Sequence, residues 1–146
     1  MSKASRLLAG ILLITFPTVV VGGVSGLSLR VFTEDYARNP LRQDLWRAGH
    51  AHAGVFLMLA LVVLRYVDGA ALSQGWKWLV RLSAPTAAIL LPAAFFLSVV
   101  SPAATEPNAL IYLAYVGGVV LALGLFVLGI GLVRRSHSDA GTPAAE

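Results

Sequence analysis

Four long apolar runs constrain this chain more than any motif in it. They cover approximately residues 7–29, 49–67, 78–100 and 109–133. A helix needs about 17–25 predominantly apolar residues to cross the hydrocarbon core of a bilayer, and each run is of that length. Backbone groups in lipid must be paired within their own segment, so helix is the form each run takes. Composition agrees. Hydrophobic residues make up 58% of the chain and charged residues 12%, where soluble globular proteins carry about 25% charged. Short connections force successive helices to run antiparallel. The expected fold is therefore all-α: an integral membrane four-helix bundle, up-down-up-down, with both termini on the same side. It forms a single domain over residues 1–135. Residues 136–146 are rich in Ser, Ala, Gly and Pro and read as a disordered tail, with His137 a solvated residue inside it.

Lys3 and Arg6 precede the first run, as they would in a secretory signal, but the run is long for one and lacks a small-x-small cleavage site. A retained helix is expected. The net charge of +4 is not a nucleic-acid signature, because the basic residues cluster at helix ends. Lys3, Arg6, Arg65, Lys77, Arg81, Arg134 and Arg135 fall on the side of the termini, against Arg30, Arg38, Arg42 and Arg47 on the other. The positive-inside rule then puts both termini in the cytoplasm. The chain has no cysteine, which excludes disulfides, thiolate catalysis and covalent haem attachment through Cys-x-x-Cys-His.

Residues 30–45 mix both charge signs around Asn39-Pro40, where a helix is disfavoured from continuing, and a short interfacial turn or helix is expected. Gly22 and Gly26 form G-x-x-x-G on the first span, and Ala114, Gly118 and Ala122 continue that spacing on the fourth. Both read as helix-contact positions. Pro17, Pro85 and Pro92 interrupt spans and tend to kink them. Trp46, Trp76, Trp78 and Tyr66 sit where aromatic belts form.

Chemistry concentrates in Trp46-Arg47-Ala48-Gly49-His50-Ala51-His52-Ala53-Gly54, at the start of the second run. Imidazole is the commonest metal-ligating side chain. The antiparallel topology brings Phe95, Phe96, Ser98 and Ser101 of the third span, and Tyr112 and Tyr115 of the fourth, to the same end. Residues two apart on a helix point about 200° from each other at 3.6 residues per turn, so His50 and His52 cannot both face one metal ion on a regular helix. A non-haem site would need further ligands, and Glu106 is the sole carboxylate outside the first loop on that side. Haem needs only one axial histidine and an apolar slot. The alternative is an interfacial histidine that bonds a backbone carbonyl or a lipid headgroup.

The chain resembles styrene oxide isomerase, a family of small four-helix bacterial membrane enzymes. The likeness rests on Gly10-Ile11-Leu12-Leu13 and the apolar run after it, on Ala51-His52-Ala53-Gly54-x-x-Leu57 preceded by Trp46 and Arg47, and on Ser101-Pro102 after the third span. The resemblance implies haem b held by a histidine of the second helix, and a homo-oligomer, a trimer. Aligned on Ala-His-x-Gly the metal ligand is His52; aligned on distance from the tryptophan it is His50. The contiguous block favours His52. Trp46, Arg47 and Gly54 then flank the cofactor, and Phe95, Phe96 and Met58 line its pocket. The implied activity is isomerisation of a small apolar epoxide to a carbonyl compound, with haem iron as Lewis acid. The sequence departs from the family here: Phe95 stands at the family's tyrosine position and Met58 at its asparagine. Tyr112 and Tyr115 are the candidate catalytic replacements. Two alternatives stay open: a non-catalytic haem protein that carries electrons or senses gas, and a cofactor-free accessory subunit. A channel or transporter fits less well, because no span carries a polar stripe.

Overall fold

The computed structural model describes residues 1–140, with side chains through residue 137. Four helices are long and apolar enough to cross a membrane. They are α1 (Lys3–Phe32), α3 (Pro40–Tyr66), α4 (Gln74–Ser98) and α5 (Leu113–Ala140), with a one-turn helix α2 (Glu34–Ala37) in the first connection. Short 3-10 turns at Val67–Gly69 and Ala109–Tyr112 lead out of α3 and into α5. The all-α, up-down-up-down architecture is as expected, and the start of α1 and the end of α5 lie on one side.

The helix boundaries differ from the apolar runs for a physical reason. The second span starts at Pro40, not near residue 49. Asn39 accepts a hydrogen bond from the Arg42 amide at 3.1 Å, and Pro40 takes the first helical position. Asn at the N-cap and Pro just inside are both favoured at a helix start. Residues 41–47, which include Arg42, Gln43, Asp44 and Arg47, therefore continue the same helix beyond its apolar part. At the other end of the chain, α5 runs on to Ala140, so residues 136–140 are helical where a disordered tail was expected. Residues 141–146 of that tail lie outside the described residues.

The spans pack largely in sequence: α1 against α3, α3 against α4, and α4 against α5. α4 occupies the middle, and Val80, Ala84, Ala87 and Ala94 along it are fully buried. Ala60, Val63 and Leu64 of α3 and Leu128 of α5 complete the core with Leu12 of α1. Lipid tails are as apolar as these side chains, so association depends on close van der Waals contact and polar bonds. On α5 that contact comes from Gly117, Gly124 and Gly131, one every two turns. A Cβ would meet Leu90 Cβ at 3.0 Å from position 117 and Leu72 Cγ at 2.6 Å from position 131; at 124 it would collide with Ser83. The stripe expected from Ala114, Gly118 and Ala122, as a contact within or between subunits, is not used within the chain, where Gly118 faces open space.

Polar bonds fasten both ends. On the side of the termini, Arg81 of α4 is 3% exposed and pairs with Asp68 at 2.8 Å. It also donates to Ser5 Oγ at 3.1 Å, while Asp68 accepts from the Ser2 amide at 2.5 Å and from Ser5 Oγ at 3.1 Å. On the opposite side, Asn39 Nδ2 donates to the Ala104 carbonyl at 2.9 Å and to that of Pro102 at 3.2 Å. Arg42 Nε donates to the Val99 carbonyl, the C-cap of α4, at 3.1 Å.

Candidate functional site

Because α3 begins at Pro40, the two histidines lie about 15–18 Å along it at 1.5 Å per residue, well inside a regular helix. They face apart, as helical geometry requires. The His52 ring lies between Phe56 and Phe95, with centroids 5.4 and 5.2 Å away. Its Nδ1 is 2.7 Å from the Ala48 carbonyl, one turn back on the same helix. That bond puts the proton on Nδ1 and leaves the Nε2 lone pair free. His50 instead points at α1. A Cβ at Gly23 would stand 3.0 Å from both Cε1 and Nε2 of His50, and one at Gly22 3.8 Å from Nδ1. Neither ring nitrogen of His50 has a hydrogen-bond partner among the described residues.

A cavity of about 420 Å³ opens between α1 and the outer half of α3, within the range of roughly 300–1,000 Å³ typical of small-molecule sites. Its α3 wall is Gln43, Trp46, Arg47 and His50, the i, i+3, i+4, i+7 pattern of one helix face. The facing wall is α1, where Gly22, Gly23 and Gly26 remove side chains and Arg30 stands near the helix end. Tyr36 of α2 and Phe96 of α4 close the remaining sides. The three rings form a tilted and an edge-on contact: Tyr36–Trp46 at 5.3 Å and Trp46–Phe96 at 5.9 Å. Trp46 Nε1 is buried without a hydrogen-bond partner among the described residues.

The structure thus gathers Trp46, Arg47, His50 and Phe96 of the expected site and leaves the rest outside. His52 lies on the other side of α3, away from this cavity. Phe95 packs on that same side, against His52 and the Gly49 notch, where a Cβ would come within 3.3 Å of it. Gly54 serves helix contact with Val19 rather than the cavity. Met58 is exposed on the bundle surface. Tyr112 and Tyr115 pair with each other at 6.1 Å and are 66% and 70% exposed, away from both histidines. Among the described residues no three His, Cys, Asp or Glu side chains come together as a metal-binding group.

Sequence reasoning missed Gly23, Arg30, Tyr36 and Gln43. The stripe 43-46-47-50 carried a signal, but it became readable only once the helix was known to begin at Pro40. Tyr36 is 4% exposed and its hydroxyl has no hydrogen-bond partner among the described residues. The Gln43 amide is committed, donating to the carbonyls of Ala37 at 2.9 Å and Tyr36 at 3.2 Å.

Fold and site together define a multi-pass α-helical membrane protein with a histidine-walled cavity between its first two spans. No protein-family model, curated protein or solved structure matches the chain.

Proposed function

We propose that the protein binds haem b in the cavity between α1 and α3, with the His50 imidazole as the axial ligand. The observation that carries this reading is an imidazole without a hydrogen-bond partner in a cavity wall, its ring packed close to Gly23 of α1, with open space at Gly26. One histidine and an apolar slot are what haem requires of a protein, and the two histidines, facing apart, offer one ligand per side. His52 is the weaker candidate, because Phe56 and Phe95 flank its ring.

The resemblance to styrene oxide isomerase gives the proposed activity, redox-neutral isomerisation of a small apolar epoxide to a carbonyl compound. Bound haem would supply an electrophilic iron able to polarise the epoxide oxygen. The chain's own part would be to hold the cofactor through His50 and to exclude water with Trp46 and Phe96. The Tyr36 hydroxyl, uncommitted and on the cavity wall, can donate a hydrogen bond to a substrate oxygen. A non-catalytic haem protein is the second reading, favoured by the commitment of the Gln43 amide to backbone carbonyls. The charge asymmetry between the two ends supports cytoplasmic termini. Leu13, Ile14, Val20 and Val24 on the outer face of α1 are exposed, which suits contact with lipid or with a second copy in the proposed trimer.

An ultraviolet–visible spectrum of the detergent-purified, haem-supplemented protein tests the reading. A Soret band is expected, lost in His50→Ala and kept in His52→Ala. No band in the wild type, or a band that survives His50→Ala, would overturn it. Conversion of a small epoxide to its aldehyde by the wild type, much slowed in Tyr36→Phe, separates the enzyme from the non-catalytic protein.

A further inference from the structure

We infer that the outer half of α1, residues 18–32, is a lateral gate that parts from α3 to let a flat apolar ligand reach the His50 ring from the lipid. The inference rests on His50 as the ligand-facing residue and adds how that residue is reached.

The contact between the two helices is closed where a ligand would bind. His50 turns the Cε1–Nε2 edge of its ring toward Gly23, where a Cβ would stand 3.0 Å from both atoms. A ligand bonded to Nε2 would occupy space that the α1 backbone now fills. Packed carbon atoms stand about 3.5–4.0 Å apart, so a flat ring between the helices requires α1 to retreat by about one such thickness. A ligand that binds only the parted form then holds it there.

The way α1 is fastened allows that retreat. Its inner end is tied down, with Ser2 and Ser5 bonded to Asp68 and Arg81 bonded to Ser5. Ser5 and Leu12 are its buried residues. Beyond Leu12, among the described residues, no hydrogen bond or ion pair joins α1 to another helix. The hydroxyls of Thr15, Thr18, Ser25 and Ser28 bond carbonyls of α1 itself, an arrangement that bends helices. Val20, Val21, Val24 and Leu27 are exposed.

Breaks in the helical bonding bound this half. Pro17 lies inside the helix and has no N–H to bond the preceding turn. At the far end Thr33 leaves the helix with φ −123° and ψ 106°. The next turn, α2, stays with α3, because Gln43 holds the carbonyls of Tyr36 and Ala37. Residues 18–32 are therefore a rod between two pivots, and Gly23 meets His50 partway along it.

The chain has no cysteine, so nitroxide labels can be placed by substitution alone. Labels at Val24→Cys and Val119→Cys, both exposed sites, report the outer half of α1 against α5. Labels at Leu7→Cys and Val119→Cys report its fastened part. Double electron–electron resonance in lipid nanodiscs reads both distances, with and without zinc protoporphyrin IX, a diamagnetic porphyrin whose metal takes one axial imidazole. Absorbance follows porphyrin binding separately. On saturation the Val24–Val119 distance is expected to lengthen by about 3–4 Å, one ring thickness, while the Leu7–Val119 distance holds. Gly23→Leu, a wedge at the contact, should lengthen Val24–Val119 without porphyrin, and Gly23→Ala should move part of the population the same way. Porphyrin binding that is lost in His50→Ala but leaves Val24–Val119 unchanged would overturn the gate and leave the haem reading standing. Equal lengthening of both distances would overturn it too, since α1 would then move as one body. A wild type that binds no porphyrin would overturn the haem reading, and the Gly23 variants then decide the gate: an unchanged distance in both sinks it.

Discussion

Each end of this bundle buries an arginine, and the two are treated very differently. Arg81, on the side of the termini, has a full set of anionic and hydroxyl partners: Asp68, Ser5 and the face of Trp78 at 5.2 Å. Those bonds tie α1, α3 and α4 together at one point. Arg42, at the cavity end, has a carbonyl at the C-terminus of α4 and two aromatic faces, but no carboxylate. The carbonyl end of a helix is a fractional negative charge, and aromatic faces add a little more. Neither cancels a whole cation. The first end is a closed joint whose charges are satisfied internally. At the second, the buried arginine has no carboxylate partner among the described residues.

Breaking the joint should have the largest effect. Asp68→Ala leaves Arg81 buried without its carboxylate, and removing one member of a buried pair costs about 3–5 kcal/mol. Thermal unfolding in detergent, followed by circular dichroism, should show a large drop in midpoint. The apolar double variant Asp68→Leu/Arg81→Met should recover most of the loss, because neither charge is then stranded. A double variant as unstable as Asp68→Ala would mean that α1 is held by the pair itself rather than by packing.

Next in size is Gly131→Ala, also at the closed end. There the Ala71 amide donates to the Gly131 carbonyl at 2.9 Å, and a Cβ would stand 2.6 Å from Leu72 Cγ. Overpacking of this kind costs about 1–3 kcal/mol, although alanine is the better helix former by about 1 kcal/mol in isolation.

Arg42→Met should cost less than Asp68→Ala, about 1–2 kcal/mol, since it removes a charge-assisted hydrogen bond and two cation–π contacts without stranding a partner charge. A loss equal to that of Asp68→Ala would dissolve the contrast between the ends.

The smallest effect belongs to Gly26→Ala, at the cavity, where a Cβ meets nothing within 4 Å. Stability should stay level or rise by up to about 1 kcal/mol, from helix propensity alone. A clear fall in the unfolding midpoint would show that this glycine, like Gly131, serves close helix packing.

Much of the fold was legible in the sequence because bilayer thickness and backbone hydrogen bonding leave few choices for long apolar runs. Boundaries were less so. Arg42, Gln43, Asp44 and Arg47 interrupt residues 41–47, so an apolar window stops before them, although Asn39-Pro40 carried the helix-start signal. The site was half legible. The 200° separation of His50 and His52 followed from helical periodicity and holds in the structure. Which of the two faces a cavity did not follow, because that depends on where α1 lies against α3.

The sequence by itself determined four antiparallel membrane-length helices and two histidines that cannot share one metal ion on a regular helix. These are consequences of local periodicity and of lipid as a solvent. Only the tertiary structure decided that His50 meets the glycines of α1, that Phe95, Met58, Tyr112 and Tyr115 stand aside, and that Arg81 has a carboxylate where Arg42 has none. Those facts depend on the rotation of each helix about its own axis. In lipid that rotation is set by which small residues allow backbones to approach and which polar groups find partners, and both are properties of pairs of helices rather than of any one segment.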